Sequence, residues 1–218
     1  MPYSKEKGVW NKHRLGARRI VGLGPPASHE TMSKKLILTG FQGSIGRHLA
    51  KAFRHRKWKV VPWDPRVQSA KAIVTEEGKA DALILAHGGG GASQDEVFSK
   101  NTFSVSKILR QIGLLLKSNG CVIVLTSRRA LRPIEAEWDY AAAKAAAHAY
   151  ARALYKSRPD LRITAIAPGW VESRIARQQG AGEVIPAGQL CDLIAACVAA
   201  DKVRIPELFI EPLGSSEY

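Results

Sequence analysis

Acidic residues are scarce in this chain: 19 Asp and Glu stand against 33 Lys and Arg over 218 residues, a formal net charge of +14. Such an excess attracts anions, and nucleic acid is the first class to weigh. Arg47, Lys51, Arg54, Arg56, Lys57 and Lys59 cluster on and after one helical stretch. No stacking motif or DNA-reading helix accompanies them. A solvated helix face with some attraction for an anionic cofactor is therefore the preferred reading, and nucleic acid is not an expected partner. Cysteine is nearly lacking. Cys121, Cys191 and Cys197 have no metal-ligand spacing, so no metal site is predicted and all three read as small buried hydrophobes in a reducing compartment. No apolar run approaches the length of a bilayer-crossing helix, so no membrane span is expected. There is no secretory apolar core and no internal repeat, and a cytoplasmic location is the default.

The stretch from Met1 to Thr31 differs from the rest. Lys5, Lys7, Lys12, Arg14, Arg18 and Arg19 stand there against Glu6 and Glu30, with scattered Gly and Pro and no clear period. Residues 1–33 are expected to form a disordered basic leader, and Met32-Ser33-Lys34-Lys35 reads as a natural start. A transit peptide is the sharper alternative, but serines are few and no amphipathic face is clean. Residues 34–218 suffice for one domain with a substantial core.

Tyr140 and Lys144 lie four positions apart in Tyr140-Ala-Ala-Ala-Lys144, one above the other on a helix face. An ammonium beside a phenol favours the phenolate and is expected to pull the tyrosine pKa down toward neutral pH, where it can donate and accept protons. Far upstream, Leu36 to Leu38 read as a buried strand. Gly40, Gly43 and Gly46 follow, spaced by Phe41-Gln42 and Ser44-Ile45, and Ile45 to Phe53 read as a helix. Strand, glycine turn and helix N-terminus together form a seat for a pyrophosphate. Asp64 closes the next apolar run, where such a fold places an acidic residue on the ribose side. A carboxylate there bonds a ribose 2′-hydroxyl and repels a 2′-phosphate, so NAD is expected, with NADP left open because Arg66 could accept the phosphate. The bland alternative for Asp64 is a turn residue between Pro62 and Pro65.

With both ends in view, the chain resembles the short-chain dehydrogenase/reductase family from about Lys34 to Leu213. The glycine pattern is similar to that of the family's extended branch, and the rest to its shorter single-domain branch. The resemblance implies a doubly wound parallel α/β sheet. Ser127 ends a predicted strand ahead of Tyr140 and stands where the family has its catalytic serine. Asn101, opening a helical stretch from Thr102 to Lys117, matches its active-site asparagine. Pro168 and Gly169, with Val171 and Ser173 after them, match the segment that holds the nicotinamide carboxamide. Gln42, Ser44 and Ile45 in the glycine turn, and Ala86 and Gly88 after the third predicted strand, complete the implied cofactor site. By the same resemblance, Tyr140 and Lys144 are expected to touch the nicotinamide ribose. The implied reaction moves a hydride between NAD(P) and a carbonyl or secondary alcohol. Tyr140 is the acid/base, Ser127 binds the substrate oxygen, and Asn101 positions a proton-relaying water.

Strands are predicted at Lys35–Thr39, Lys59–Trp63, Asp81–Ala86, Cys121–Thr126, Arg162–Ala167 and Leu208–Glu211. Further helices are predicted at Asp139–Lys156 and Pro186–Ala200. Three departures from the family stand out. Ala86-His87-Gly88-Gly89 replaces Asn-Asn-Ala-Gly, removing asparagines that brace the central strands. His87 could touch the cofactor or substrate, but a partly buried loop histidine is the favoured reading. The interval from Asp64 to Asp81 is too short for a strand-helix-strand crossover, so the third strand of the family is expected to be missing or vestigial. The substrate loop between Trp170 and Pro186 is also short, and Gly180 and Gly182 suggest a mobile lid. Arg174 and Arg177 on it read as solvated. The alanines of the Tyr140 helix permit close helix approach, so a homodimer or homotetramer is expected. The rival to the enzyme is a catalytically idle NAD(P)-binding or regulatory protein of the same fold.

Overall fold

Alternation along the first strand sets the architecture. In β1, Lys35–Thr39, Ile37 turns to one face and Leu36 and Leu38 to the other, and all three are fully buried. A strand apolar on both faces must be covered on both. The computed structural model describes residues 33–214, and the expected leader, Ser33 apart, lies outside the described residues.

Five more strands complete one parallel sheet: β2 Lys59–Pro62, β3 Ala80–Leu85, β4 Leu116–Leu125, β5 Arg162–Pro168 and β6 Glu207–Ile210, in the order β2-β1-β3-β4-β5-β6. Helices α1, Ser44–His55, and α8, Ala187–Ala199, cover one face with Leu49, Phe53, Leu190 and Ile194 packed on Leu36, Leu38, Ile84 and Ile123. On the other face lie α2, Ala70–Glu77; α3, Gln94–Phe98; α4, Ser104–Leu109; α5, Ile112–Leu115; and α6, Trp138–Ser157. There Ile73, Val105, Ile108, Ile112 and Ala147 meet Ile37, Leu83, Val122 and Ile163. A further short helix, α7, spans Arg174–Gln178. Fully burying one such aliphatic side chain contributes about 1.5–3 kcal/mol.

The predicted strands are all present, displaced by a residue or so at their ends except β4. As the short spacing implies, Asp64 to Asp81 holds α2 and no strand, so β2 is the edge of the sheet. The order reverses between β1 and β3, and the crevice beyond their carboxyl ends is where a doubly wound sheet binds ligands.

The expected helix from Thr102 to Lys117 needs correction. Helical structure starts at Gln94, because the Ser93 hydroxyl accepts from the Glu96 N–H and caps the turn. A π-helical turn, Ser99–Phe103, follows, and the helix ends at Leu115. Leu116 already pairs with Ala80, and the register then slips so that Cys121 faces Ala82, with Asn119 at φ 59° inside the bulge. Asn101 is thus inside the π turn rather than at a helix start.

Candidate active site

The turn after β1 requires glycine at two points, Gly40 and Gly46. Gly40 holds φ 67°, and a Cβ there would sit 2.5 Å from the Ala86 carbonyl. The Gly43 N–H donates back to the Gly40 carbonyl at 2.9 Å. At Gly46 a Cβ would lie 2.1 Å from that same oxygen, so only glycine lets α1 pack this close to the turn. Gly43 is the N-cap of α1 but provides no side-chain cap, and the first turn, with Ser44 and Ile45, carries no acidic residue. Its amides are left for an anion, which fits the diphosphate of a dinucleotide. Gln42 turns its carbonyl to Arg47 Nη1 at 2.6 Å.

Gly40, Gln42, Gly43, Asp64, Ala86 and Gly88 line one cavity of about 350 Å³. Ser44, Ile45 and Gly46 stand just behind it in α1. Gly88 joins this groove to the second group of residues: a Cβ there would meet Asn101 Oδ1 at 2.3 Å and Lys144 Nζ at 3.0 Å. Asn101 is fully buried. Its Oδ1 accepts from the Gly89 N–H at 3.0 Å, and its Nδ2 donates to the carbonyls of Gly89 and Val97, both at 2.8 Å. Both amide protons are therefore committed to the backbone, and the side chain clamps the 88–89 turn.

Ser127 leaves the end of β4 and its Oγ accepts from the Arg129 N–H at 3.2 Å, capping a 3₁₀ turn at Arg128–Ala130. The same side chain is hydrogen-bonded to the Tyr140 hydroxyl. Lys144, one turn further along α6, is buried and donates from Nζ to the Leu125 carbonyl at 3.1 Å, with Nζ 5.9 Å from the centre of the Tyr140 ring. The expected lowering of the tyrosine pKa is not found. Burial pushes the Tyr140 phenol up, opposed by the bond to Ser127, and Glu137 adds to the rise. Lys144 is not among the groups that shift the phenol, and burial disfavours the lysine's own charge, bringing it down to about 8.

Asp64 is gripped by Arg66, whose side-chain hydrogen bonds outweigh burial and hold the carboxyl down at about 2. Asp64 is thus both a turn residue, accepting from the Arg66 N–H at 3.0 Å, and a charged group on the cavity wall. The basic cluster on α1 is exposed, with Arg56 paired to Asp192 and Lys59 to Glu77.

Pro168 ends β5, and Gly169 donates to the Ile210 carbonyl at 2.7 Å. Neither lines the 350 Å³ cavity, nor do Val171 and Ser173. Val171 makes an isolated bridge to Ile185, and Ser173 Oγ accepts from the Ala176 N–H at 3.0 Å, capping α7. The loop expected to be a glycine lid is therefore pinned at its base and carries a helix. Arg174 and Arg177 are exposed there.

Several residues of this region escaped the sequence reading. Arg128 and Arg129, directly after Ser127, are buried; Arg128 lies 3.6 Å from Glu211, and Arg129 donates to Glu137 at 2.7 Å. Glu211 in turn lies over Gly169, where a Cβ would come within 2.3 Å of its Oε2. His148 bridges Thr126 and Glu207 inside the fold. The signal available was two arginines after a strand-ending serine, but their acidic partners come from distant elements.

Among the described residues, no helix is long and apolar enough to cross a membrane. A family profile described as enoyl-(acyl carrier protein) reductase matches residues 90–189. No curated protein matches the chain. Among solved structures, the aldohexose dehydrogenase of Thermoplasma acidophilum shares the fold with a TM-score of 0.71 at 16% identity, covering 82% of this chain and 92% of that one. An alcohol dehydrogenase from Thermococcus sibiricus, solved with 5-hydroxy-NADP, gives 0.70 at 19% identity over 85% of this chain and 100% of its own. A short-chain dehydrogenase/reductase of Brucella melitensis, described as glucose/ribitol dehydrogenase, gives 0.68 at 21% identity over 82% and 94%. At these identities the likeness is one of fold.

Proposed function

We propose that this chain is a member of the short-chain dehydrogenase/reductase family, a reading supported by the profile match over residues 90–189, and that it transfers a hydride between a nicotinamide dinucleotide and a carbonyl or secondary alcohol. The observation that carries the reading is the convergence on Gly88. On one side is a glycine-lined groove ending at Asp64, and on the other are Asn101 and Lys144 with Ser127 and Tyr140 hydrogen-bonded nearby. A catalytically idle binding protein would not need a buried lysine, which costs stability, beside a hydroxyl pair.

A bound dinucleotide would supply the hydride. Gly40, Gly43 and the start of α1 hold its diphosphate, Asp64 its adenine-side ribose, and the Pro168–Ser173 segment its carboxamide. Tyr140 gives its proton to the substrate oxygen during reduction and takes it back during oxidation. Ser127 donates a hydrogen bond to the same oxygen as charge develops there. Lys144 is poised near pH 8 and buried, so it can return a proton to Tyr140 without a large energetic step. Asn101 holds the 88–89 turn and keeps one Oδ1 lone pair for a relay water. NAD is the favoured cofactor, given Asp64 at the ribose end, with NADP the alternative.

Residues 34–218 form the catalytic domain in this reading. Exposed Ala142, Ala149 and Ala153 on α6, with Tyr150 beside them, suit close packing of a second copy into a homodimer or homotetramer. Analytical ultracentrifugation at micromolar concentration tests that assembly.

The function is tested by a carbonyl-substrate screen with NADH and NADPH, run on wild type and Tyr140→Phe. Turnover that falls by about 10²-fold or more in the variant, with nucleotide binding retained, supports the assignment. Equal turnover in the two would overturn it.

A further inference from the structure

His87 lines the nucleotide cavity, the mechanism above leaves it unused, and its surroundings are specific. Its Nδ1 lies 2.6 Å from Thr39 Oγ1 at the end of β1, and its Nε2 lies 2.9 Å from Ser104 Oγ at the start of α4. Ser104 spends its single hydroxyl proton on the Lys100 carbonyl at 2.7 Å. It can therefore only accept from His87, which fixes the proton on Nε2. Nδ1 then accepts from the Thr39 hydroxyl, whose other acceptor, the Ile84 carbonyl, is at 3.4 Å. Thr39, His87 and Ser104 thus form a directed chain that only the neutral Nε2–H ring completes.

That chain crosses the site at a critical place. Thr39 precedes Gly40, and the Gly40 turn rests on the backbone of Ala86 and His87. Asn101 clamps Gly89 from the other side. The ring therefore ties together the three pieces that enclose the groove: the glycine turn, the 86–89 segment and the helical stretch around Ser104.

We propose that His87 is a positioning residue for the dinucleotide, holding the glycine turn against the 86–89 segment through Thr39 and Ser104. The inference rests on the oxidoreductase reading of the groove. The charged groups facing the ring are Lys144 from α6 and Asp64 and Arg66 from the β2 loop. Burial first, and Lys144 second, bring the ring down to about 4, with Asp64 opposing, so it stays neutral at working pH.

The test is titration of the full chain with NADH and NADPH for wild type, His87→Ala, Ser104→Ala and the double variant, with His87→Asn as a smaller change should His87→Ala fold poorly. Ring-nitrogen NMR of wild type gives a second readout. The expected result is a Kd raised about tenfold in His87→Ala, a smaller rise in Ser104→Ala, and a double variant no weaker than His87→Ala, since both act through one chain. With substrate, KM for the dinucleotide should rise while kcat at saturation holds. NMR should show the Nε2–H tautomer at neutral pH. Unchanged affinity in folded His87→Ala or His87→Asn, additive effects, or the opposite tautomer would each overturn the inference and leave the oxidoreductase reading standing. A wild type that binds neither nucleotide would overturn both.

Discussion

Arg66 holds the Asp64 carboxylate with two parallel bonds, Nε to Oδ1 at 2.9 Å and Nη2 to Oδ2 at 2.7 Å. The residue that should favour NAD is thus fastened to one able to accept a 2′-phosphate. Asp64→Ala frees the guanidinium, and the NADPH:NADH affinity ratio is expected to rise about tenfold or more. Arg66→Ala should move it the other way. Fluorescence titration of wild type and both variants with each nucleotide measures this, and a ratio unmoved by either change removes Asp64 from cofactor choice.

Lys144 gives a pH signature. Its folded-state pKa, about 8, lies below its ordinary value of 10.5, so between these pH values the unfolded chain binds more protons than the native one. Stability from this group therefore rises as pH climbs from 8 to 10.5 and is lowest, and level, below 8. Lys144→Met removes the buried charge, and it should raise Tm by several degrees at pH 7 while abolishing turnover. Calorimetry at pH 7 and pH 9.5 decides the matter: a wild-type to Lys144→Met gap that does not narrow at the higher pH contradicts the assignment.

The two glycines of the turn should fail to different degrees. A Cβ at Gly46 would stand 2.1 Å from the Gly40 oxygen, and one at Gly43 would stand 3.2 Å from it. Gly46→Ala must push α1 away from the turn and is expected to lose measurable dinucleotide binding. Gly43→Ala should cost roughly tenfold or less. Comparable affinities for the two variants would show that the turn is not the diphosphate seat.

His148 tests the support behind α6. It is buried in α6, with Nδ1 3.2 Å from Thr126 Oγ1 and Nε2 2.9 Å from Glu207 on β6. His148→Ala leaves a cavity and removes one partner of the Thr126 hydroxyl, which keeps its bond to the Ile166 carbonyl at 3.1 Å. A loss of about 2–3 kcal/mol in urea unfolding is expected, most of it from the cavity. Glu207 is partly exposed, so Glu207→Gln should cost far less. Equal losses would mean that the contact to the exposed Glu207 carboxylate, not the packing of the buried ring, holds α6.

The strands were legible because each is a short apolar run bounded by turn residues, and the glycine turn because its neighbours supplied strand and helix context. The missing crossover strand could be read from spacing alone. The start of the Gln94 helix was hidden because Ser93 closely follows four glycines and reads as loop, and Asn101 was misplaced as a result. The rise of the Tyr140 pKa was hidden for another reason. Sequence shows that Lys144 is near the phenol, but not that the shielding of both outweighs their attraction. The chain of Thr39, His87 and Ser104 joins residues 48 and 17 positions apart, and no local pattern announces it.

Among the described residues the sheet ends at β2, and such a border invites other chains to add to it. In β2 the N–H groups of Lys59 and Trp63 point inward to β1, which leaves those of residues 60 and 62 to face outward. Residue 62 is proline, so Val60 has the sole outward donor of the strand. Pro62 therefore blunts this border against edge-to-edge pairing, two residues before Asp64 on the cavity wall.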